Sequence, residues 1–192
     1  MDDNLVKIRH ERSKKDFPNI AFEDGEYVEF AFSRARVCFL LIWGATAVGA
    51  ILVLLAFLIT LLSQSMIDEM GLRFLFIILF ALLAAILISG FVASRIYHGN
   101  KLFITNMHVI QMIMDSPISS SINIIDLVSV EDASFRQDTI IQRIFNFGTF
   151  RLSTVGDETT YTFKYSDISP KELKEVTKLI TEAKNKFKKD SD

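Results

Sequence analysis

Two stretches of this chain carry no Asp, Glu, Lys, Arg or His: the 26 residues Val37–Leu62 and the 21 residues Phe74–Ser94. A bilayer core is roughly 30 Å thick and a helix rises about 1.5 Å per residue, so the two runs would extend about 39 Å and about 31 Å as helices. Both lengths suit a membrane span. The alternative is a pair of buried core helices in a soluble protein, but the rest of a 192-residue chain is too short to cover two such helices on all sides. A cleaved signal peptide is also disfavoured. The first 36 residues hold 7 Lys/Arg and 8 Asp/Glu, and the apolar run starts too late and continues too long. The expected organisation is an N-terminal segment over 1–36, a transmembrane hairpin over 37–98 with spans at 37–62 and 74–94, and a module over 99–192.

The flanking charges orient the hairpin. Arg34 and Arg36 precede the first run, Arg95 and Lys101 follow the second, and the connection Ser63–Arg73 carries one Arg with Asp68 and Glu69. The positive-inside rule then places both termini in the cytoplasm. Small residues recur at four-residue spacing, Ala45 and Gly49 in the first run and Ala81, Ala85, Ser89 and Ala93 in the second. Such stripes let helices approach closely where lipid supplies no hydrophobic drive. The short connection favours packing of the two helices on each other, with homo-oligomerisation as the alternative. Neither run has an ionisable residue inside it, which argues against a proton relay or an ion path.

The polar segment 1–36 reads as a solvated tail followed by two turns, Phe17-Pro18-Asn19 and Glu23-Asp24-Gly25-Glu26, with Ile20 and Phe22 as docking apolars. Beyond the hairpin the pattern becomes β-rich. Lys101–Met107 and His108–Met114 predict a strand–turn–strand, Ser116-Pro117 a break, and Ser120–Ile124 and Leu127–Phe135 further strands. Thr149–Val155 and Thr160–Tyr165 alternate apolar and polar residues about Gly156-Asp157, which predicts a hairpin. Ser169, Pro170 and Glu172 form a helix start of the capping-box type, and Leu173, Val176, Leu179, Ile180, Ala183 and Phe187 share one helical face. Strands followed by one amphipathic helix make an α+β module, an antiparallel barrel or sandwich capped by the helix. Solvation and the helix dipole account for the basic tail Lys184, Lys186, Lys188 and Lys189.

Several of these stretches together resemble the bacterial pleckstrin-homology-like family anchored by a two-helix membrane hairpin. Asp24-Gly25-Glu26 resembles its Gly-Glu element, and Ile104-Thr105-Asn106-Met107-His108-Val109-Ile110 its strand–Thr-Asn–strand opening. Ser121–Val130, Phe147–Leu152 and Ser169–Leu173 resemble its later strand pair, strand start and helix start. The usual Arg after the Asn is replaced by Met107 or His108. The resemblance implies a pleckstrin-homology-like barrel on the cytoplasmic face of a bacterial plasma membrane, with a binding or scaffolding role and no catalysis. The basic Lys-x-Arg pattern of phosphoinositide-binding relatives is missing, so that specificity does not carry over.

Catalytic motifs are absent from the sequence: no Gly-rich phosphate loop, no Gly-x-Ser-x-Gly and no His-Glu-x-x-His. His10, His98 and His108 have no partners at metal-ligand spacing, and Cys38 is the one cysteine. No catalytic, cofactor or metal residue is therefore expected. The candidate binding residues are Arg136, Arg143, Arg151 and Lys164, near the apolar set Ile140, Ile141, Ile144, Phe145 and Phe147. If this set is exposed it is a docking surface, and if buried it closes the barrel, which is the favoured expectation. The expected function is a membrane-anchored interaction or scaffolding module that binds membrane lipids, a protein partner or a second copy, with no nucleic acid. The alternative is a small accessory subunit of a transporter or envelope complex assembled through the hairpin.

Overall fold

The β-branched and aromatic runs on either side of the apolar helices form one sheet. In the computed structural model, which describes residues 3–62, 69–154 and 160–191, the elements are α1 (Asp3–Asp16), β1 (Val28–Ser33), α2 (Arg36–Leu62) and α3 (Glu69–Gly99). They continue as β2 (Lys101–Thr105), β3 (His108–Met114), β4 (Ser120–Asp126), a 3-10 turn (Leu127–Ser129) and β5 (Val130–Arg136). The chain ends with α4 (Ile140–Ile144), β6 (Gly148–Thr154), β7 (Thr160–Ser166) and α5 (Pro170–Ser191).

The strands make two antiparallel sheets, β1-β2-β3-β4 and β5-β6-β7. Their inner faces and one side of α5 enclose a core that includes Leu102, Val109, Leu127, Phe150, Leu152 and Val176. Among the described residues the sheets do not close into a barrel. They meet at one corner through an isolated bridge between Arg34 and Ser166, and the buried Gln111 amide of β3 donates to the Thr162 carbonyl of β7 at 2.9 Å. The expected start of α5 is present: Glu172 N–H donates to Ser169 Oγ at 3.3 Å, and Ser169 N–H donates to Glu172 Oε2 at 2.8 Å. Phe187, expected on the core face of α5, is exposed. The expected strand Leu127–Phe135 is divided, because Leu127 enters the core from a 3-10 turn before β5 begins. The expected turn Gly156-Asp157 lies outside the described residues.

The largest departure from expectation is in the segment 1–36, which is not a solvated tail. It supplies α1 and then β1, the edge strand of the four-stranded sheet. Ser33 pairs with Lys101, Phe32 with Leu102 and Ala31 with Phe103, so the helical hairpin is inserted between two hydrogen-bonded neighbours. Phe17 then packs edge-on against Phe103, with ring centroids 4.9 Å apart. The run 28–33 (VEFAFS) alternates only briefly, and the partner that makes it a strand lies beyond the apolar runs.

Helices α2 and α3 are long and apolar enough to cross a membrane, and their surfaces are uncovered by the rest of the chain. Phe80 is 76% exposed, and no residue of α2 is buried. The two helices pack on each other, but not through the expected stripe. Ala45, Ala81, Ala85 and Ser89 are exposed, and only Gly49 and Ala93 are partly covered. The close approach is at Gly90, where a Cβ atom would lie 2.6 Å from Thr46 Oγ1 and 2.9 Å from its methyl group. A Gly facing a β-branched residue sets this crossing, one helical position from the Ala/Ser series. The expected connection 63–73 is shorter than its sequence suggests: Glu69–Arg73 are helical, and residues 63–68 lie outside the described set.

Two outcomes follow from this arrangement. A fragment spanning 99–192 lacks β1 and is expected to misfold, whereas replacing 35–99 with a tight turn of about two to five residues is expected to give a folded domain; circular dichroism and amide NMR dispersion decide between them. Gly90→Val is expected to destabilise the helical pair by about 1–3 kcal/mol through overpacking. Gly44→Ala, whose Cβ meets nothing within 4 Å, is expected to be neutral in the same thermal melt in detergent.

Candidate functional site

The domain has two ends. The end carrying the helical hairpin contains Ser33, Lys101, Met114, Ser120, Arg136, Gly148 and Ser166, all at strand termini. The opposite end contains the β2–β3 turn and the C-terminal half of α5.

At the opposite end a buried carboxylate fastens the N-terminal segment to the sheet. Gly25 adopts φ +81°, a conformation that favours glycine, and turns the chain so that Glu26 points inward, where it is 1% exposed. Glu26 Oε1 accepts from Thr105 Oγ1 at 2.6 Å and contacts His108 Nδ1 at 2.9 Å, and Oε2 accepts from the Glu23 backbone N–H at 2.9 Å. Burial pushes the Glu26 carboxyl up. The hydrogen bonds from Thr105, Glu23 and His108, together with the charge of His108, outweigh it and hold the carboxyl below its ordinary value of 4.5. Asn106 completes the clasp. Its Oδ1 accepts from Tyr27 N–H at 2.9 Å and its Nδ2 donates to the Gly25 carbonyl at 3.2 Å. From α1, His10 Nδ1 lies 2.6 Å from the Glu26 carbonyl, which makes that nitrogen the donor, and Ser13 Oγ accepts from Val28 N–H at 3.0 Å. The Gly-Glu and Thr-Asn elements named from the sequence thus form one contact.

Beside this clasp, a cleft of about 470 Å³ opens between the β2–β3 turn and α5, lined by Met107, Val128, Ser129, Ala183, Lys186 and Phe187 among others. A second hollow of about 440 Å³ continues it past Asn106 and Met107 to Val6 of α1 and Leu179 of α5. Sequence reasoning did not find this groove, because Val6, Met107 and Phe187 come together only in the fold. Its lining is mostly apolar, with Asn106, Asp126, Ser129, Glu182 and Lys186 supplying polar groups, and it opens away from the hairpin. The basic tail of α5 lies at this end too.

The expected binding residues are not gathered here. Arg136, Arg151 and Lys164 are exposed on the outer face of the three-stranded sheet, in adjacent rows: Arg136 and Lys164 both pair with Thr149, and Arg151 pairs with Ser134 and Thr162. Arg143 stands apart on α4. Asp138 Oδ1 lies 2.6 Å from Arg136 Nε, and no ion pair engages Arg143, Arg151 or Lys164 among the described residues. The expected burial of the neighbouring apolar set is overturned for four of its five members. Ile140 is 76% exposed and Ile144 69%, Ile141 and Phe145 are also exposed, and only Phe147 is buried. Polar bonds hold this segment in place. Thr139 and Gln142 form a reciprocal capping box, and the Gln137 side chain donates to the Gln142 and Phe147 carbonyls.

No three His, Cys, Asp or Glu side chains converge as metal ligands among the described residues. The His108 ring sits between Glu26 and Asp126, with Nε2 3.4 Å from Asp126 Oδ1, and serves the clasp.

No protein-family model matches the chain, and no curated protein matches it by sequence. Among solved structures it is similar to a DUF1696 family protein with a pleckstrin-homology domain from Shewanella loihica PV-4. The two are 10% identical with a TM-score of 0.32, over 44% of this chain and 70% of that one.

Because the Glu26 carboxyl is held below its ordinary value, its contribution to stability is complete above about pH 4.5 and is lost as the pH falls toward the folded-state value. Glu26→Gln is expected to lower stability near neutral pH by about 1.5–3 kcal/mol, as for loss of hydrogen bonds to a charged group. It should also flatten the acid-side decline in thermal melts below about pH 4.5.

Proposed function

We propose that this protein is a membrane-anchored, non-catalytic interaction or scaffolding module of pleckstrin-homology-like type, with α2 and α3 crossing a bilayer and the two-sheet domain held against its cytoplasmic face. The observation that carries this reading is the absence of any linker between helices and domain. Strand β1 ends at Ser33 and α2 starts at Arg36, while α3 ends at Gly99 and β2 starts at Lys101. Side chains lock the junction. Tyr97 OH donates to the Arg34 carbonyl at 2.7 Å, and Asn100 Nδ2 donates to the carbonyls of Ile96 and Met114 at 2.7 and 3.0 Å. A domain fixed this way stands at one height and in one orientation above the leaflet, with its groove facing the cytoplasm.

Tethering raises the effective concentration of a domain for anything else confined to the same surface, so modest contacts suffice for assembly. The occupant of the groove is a protein segment, from a partner or a second copy, that places apolar side chains against Met107 and Phe187. Lipid headgroups belong to the other end.

The reading is tested in cell membranes. The full chain is expected to stay in the membrane pellet through an alkaline carbonate wash. Tags at both termini are expected to be protected from protease in right-side-out vesicles and cut in inverted ones. Release into the wash, or cleavage in right-side-out vesicles, would overturn it.

A further inference from the structure

We infer that α4 is a third membrane contact: its exposed apolar residues lie in the headgroup and upper acyl region of the same leaflet that α2 and α3 enter. The inference rests on the membrane-anchored reading above and adds a lipid-binding surface to it.

Position is the first argument. The loop bearing α4 leaves β5 at Arg136 and rejoins β6 at Gly148. Gly148 pairs with Ser166, and Ser166 bridges to Arg34, two residues before α2. The α4 patch is therefore built onto the end of the domain from which the apolar helices emerge. Gly148 has no room for a side chain, because a Cβ there would collide with the Arg136 carbonyl oxygen, and this keeps the two ends of the loop tightly closed.

Chemistry is the second. Ile140, Ile141, Ile144 and Phe145 are all exposed, although a chain segment of this composition ordinarily finds cover. They are presented by a helix whose capping box and Gln137 bonds hold it in shape without any of these four side chains. A second loop at the same end repeats the pattern. The β3–β4 connection is anchored where Asn100 bonds Met114, and it carries Ile118 at 98% exposure. Two separate loops thus raise large apolar side chains at the hairpin end.

Charge is the third. Arg143 on α4, with Arg36 and Arg95 at the bases of the helices, is exposed and without an ion pair among the described residues. Asp138 is occupied by Arg136 and Glu172 by the Ser169 cap, and Asp115 and Asp167 also lie toward that end. Unpaired guanidinium groups beside apolar side chains match an interface of phosphate headgroups over acyl chains, where short apolar segments settle about 5–10 Å deep. A protein partner would have to reach the same patch between the domain and the leaflet.

The test uses the full chain with Cys38→Ser, reconstituted in phosphatidylcholine–phosphatidylglycerol vesicles, with single cysteines carrying bimane. Ile144→Cys and Ile118→Cys are the test positions, Leu55→Cys in mid-α2 reports the anchor, and Lys189→Cys in the exposed tail of α5 at the far end reports bulk water. Bimane at 144 and 118 is expected to shift to the blue and to lose fluorescence to lipids carrying a shallow doxyl group. Bimane at 55 should be quenched by a deep doxyl group, and bimane at 189 by aqueous iodide alone. If 55 is quenched by lipid while 144 and 118 behave like 189, the inference falls and the anchoring stands. If 144 is shielded from both lipid quencher and iodide, a second copy or another protein covers the patch and the inference also falls. If 55 itself escapes lipid quenching, the anchored reading fails and this inference with it.

Discussion

The backbone hydrogen bonds of β1 organise this structure. A six-residue strand at the edge of a sheet is stable only if its N–H and C=O groups find a neighbour, and the neighbour of β1 lies on the far side of both apolar helices. Pairing Ser33 with Lys101 brings the two ends of the hairpin together. An antiparallel helical pair already ends where it began, so the insertion costs the sheet little loop-closure entropy. The same pairing leaves no slack, and the domain and the helices form one body joined through Tyr97, Asn100 and Arg34.

That join gives the module two different ends. Beside the hairpin, α4 and the β3–β4 loop raise apolar side chains near Arg36, Arg95 and Arg143, which no ion pair engages among the described residues. At the other end, Glu26, Thr105, Asn106 and His108 close α1 and its turn onto the sheet, and the closure creates the wall of a groove that no single segment contains. Ionised Glu26 is buried at the centre of this closure with three hydrogen-bond partners. Removing it would leave the Glu23 amide without its acceptor and the Thr105 hydroxyl with the His108 carbonyl alone, at 3.0 Å, while His10 and Ser13 still hold α1 through main-chain partners. The turn that forms one wall of the groove is therefore braced by a charge that lies outside the groove.

Much of the architecture was legible because periodicity reports burial. The two uncharged runs, the β2–β3 strand pair, β6, β7 and the start of α5 follow from period-two and period-3.6 patterns with their caps. The rest was hidden for identifiable reasons. Helix α1 has almost no amphipathic pattern, because it is held by His10 and Ser13 through polar bonds. Strand β1 needs a partner that is remote in sequence. The small-residue stripe misled because Gly90, one position away, faces Thr46 and takes the crossing. The α4 set was expected in the core because all five of its residues are aliphatic or aromatic without any mark of exposure. What distinguished them was the Thr139–Gln142 capping box, a sign that the segment is shaped locally. The clasp residues were singled out in the sequence as a resemblance, but their joint purpose required the coordinates: Gly25 and Asn106 are far apart along the chain and 3.2 Å apart as acceptor and donor.

The most direct measurement is hydrogen exchange of the backbone amides in the full chain held in lipid nanodiscs. If the strand before the hairpin belongs to the sheet after it, the bonded amides of Val28–Ser33 exchange as slowly as those of Lys101–Thr105, and the two sets open together when the domain is destabilised. Exchange across Val28–Ser33 at the rate of an unstructured peptide, with Lys101–Thr105 still protected, would contradict the account.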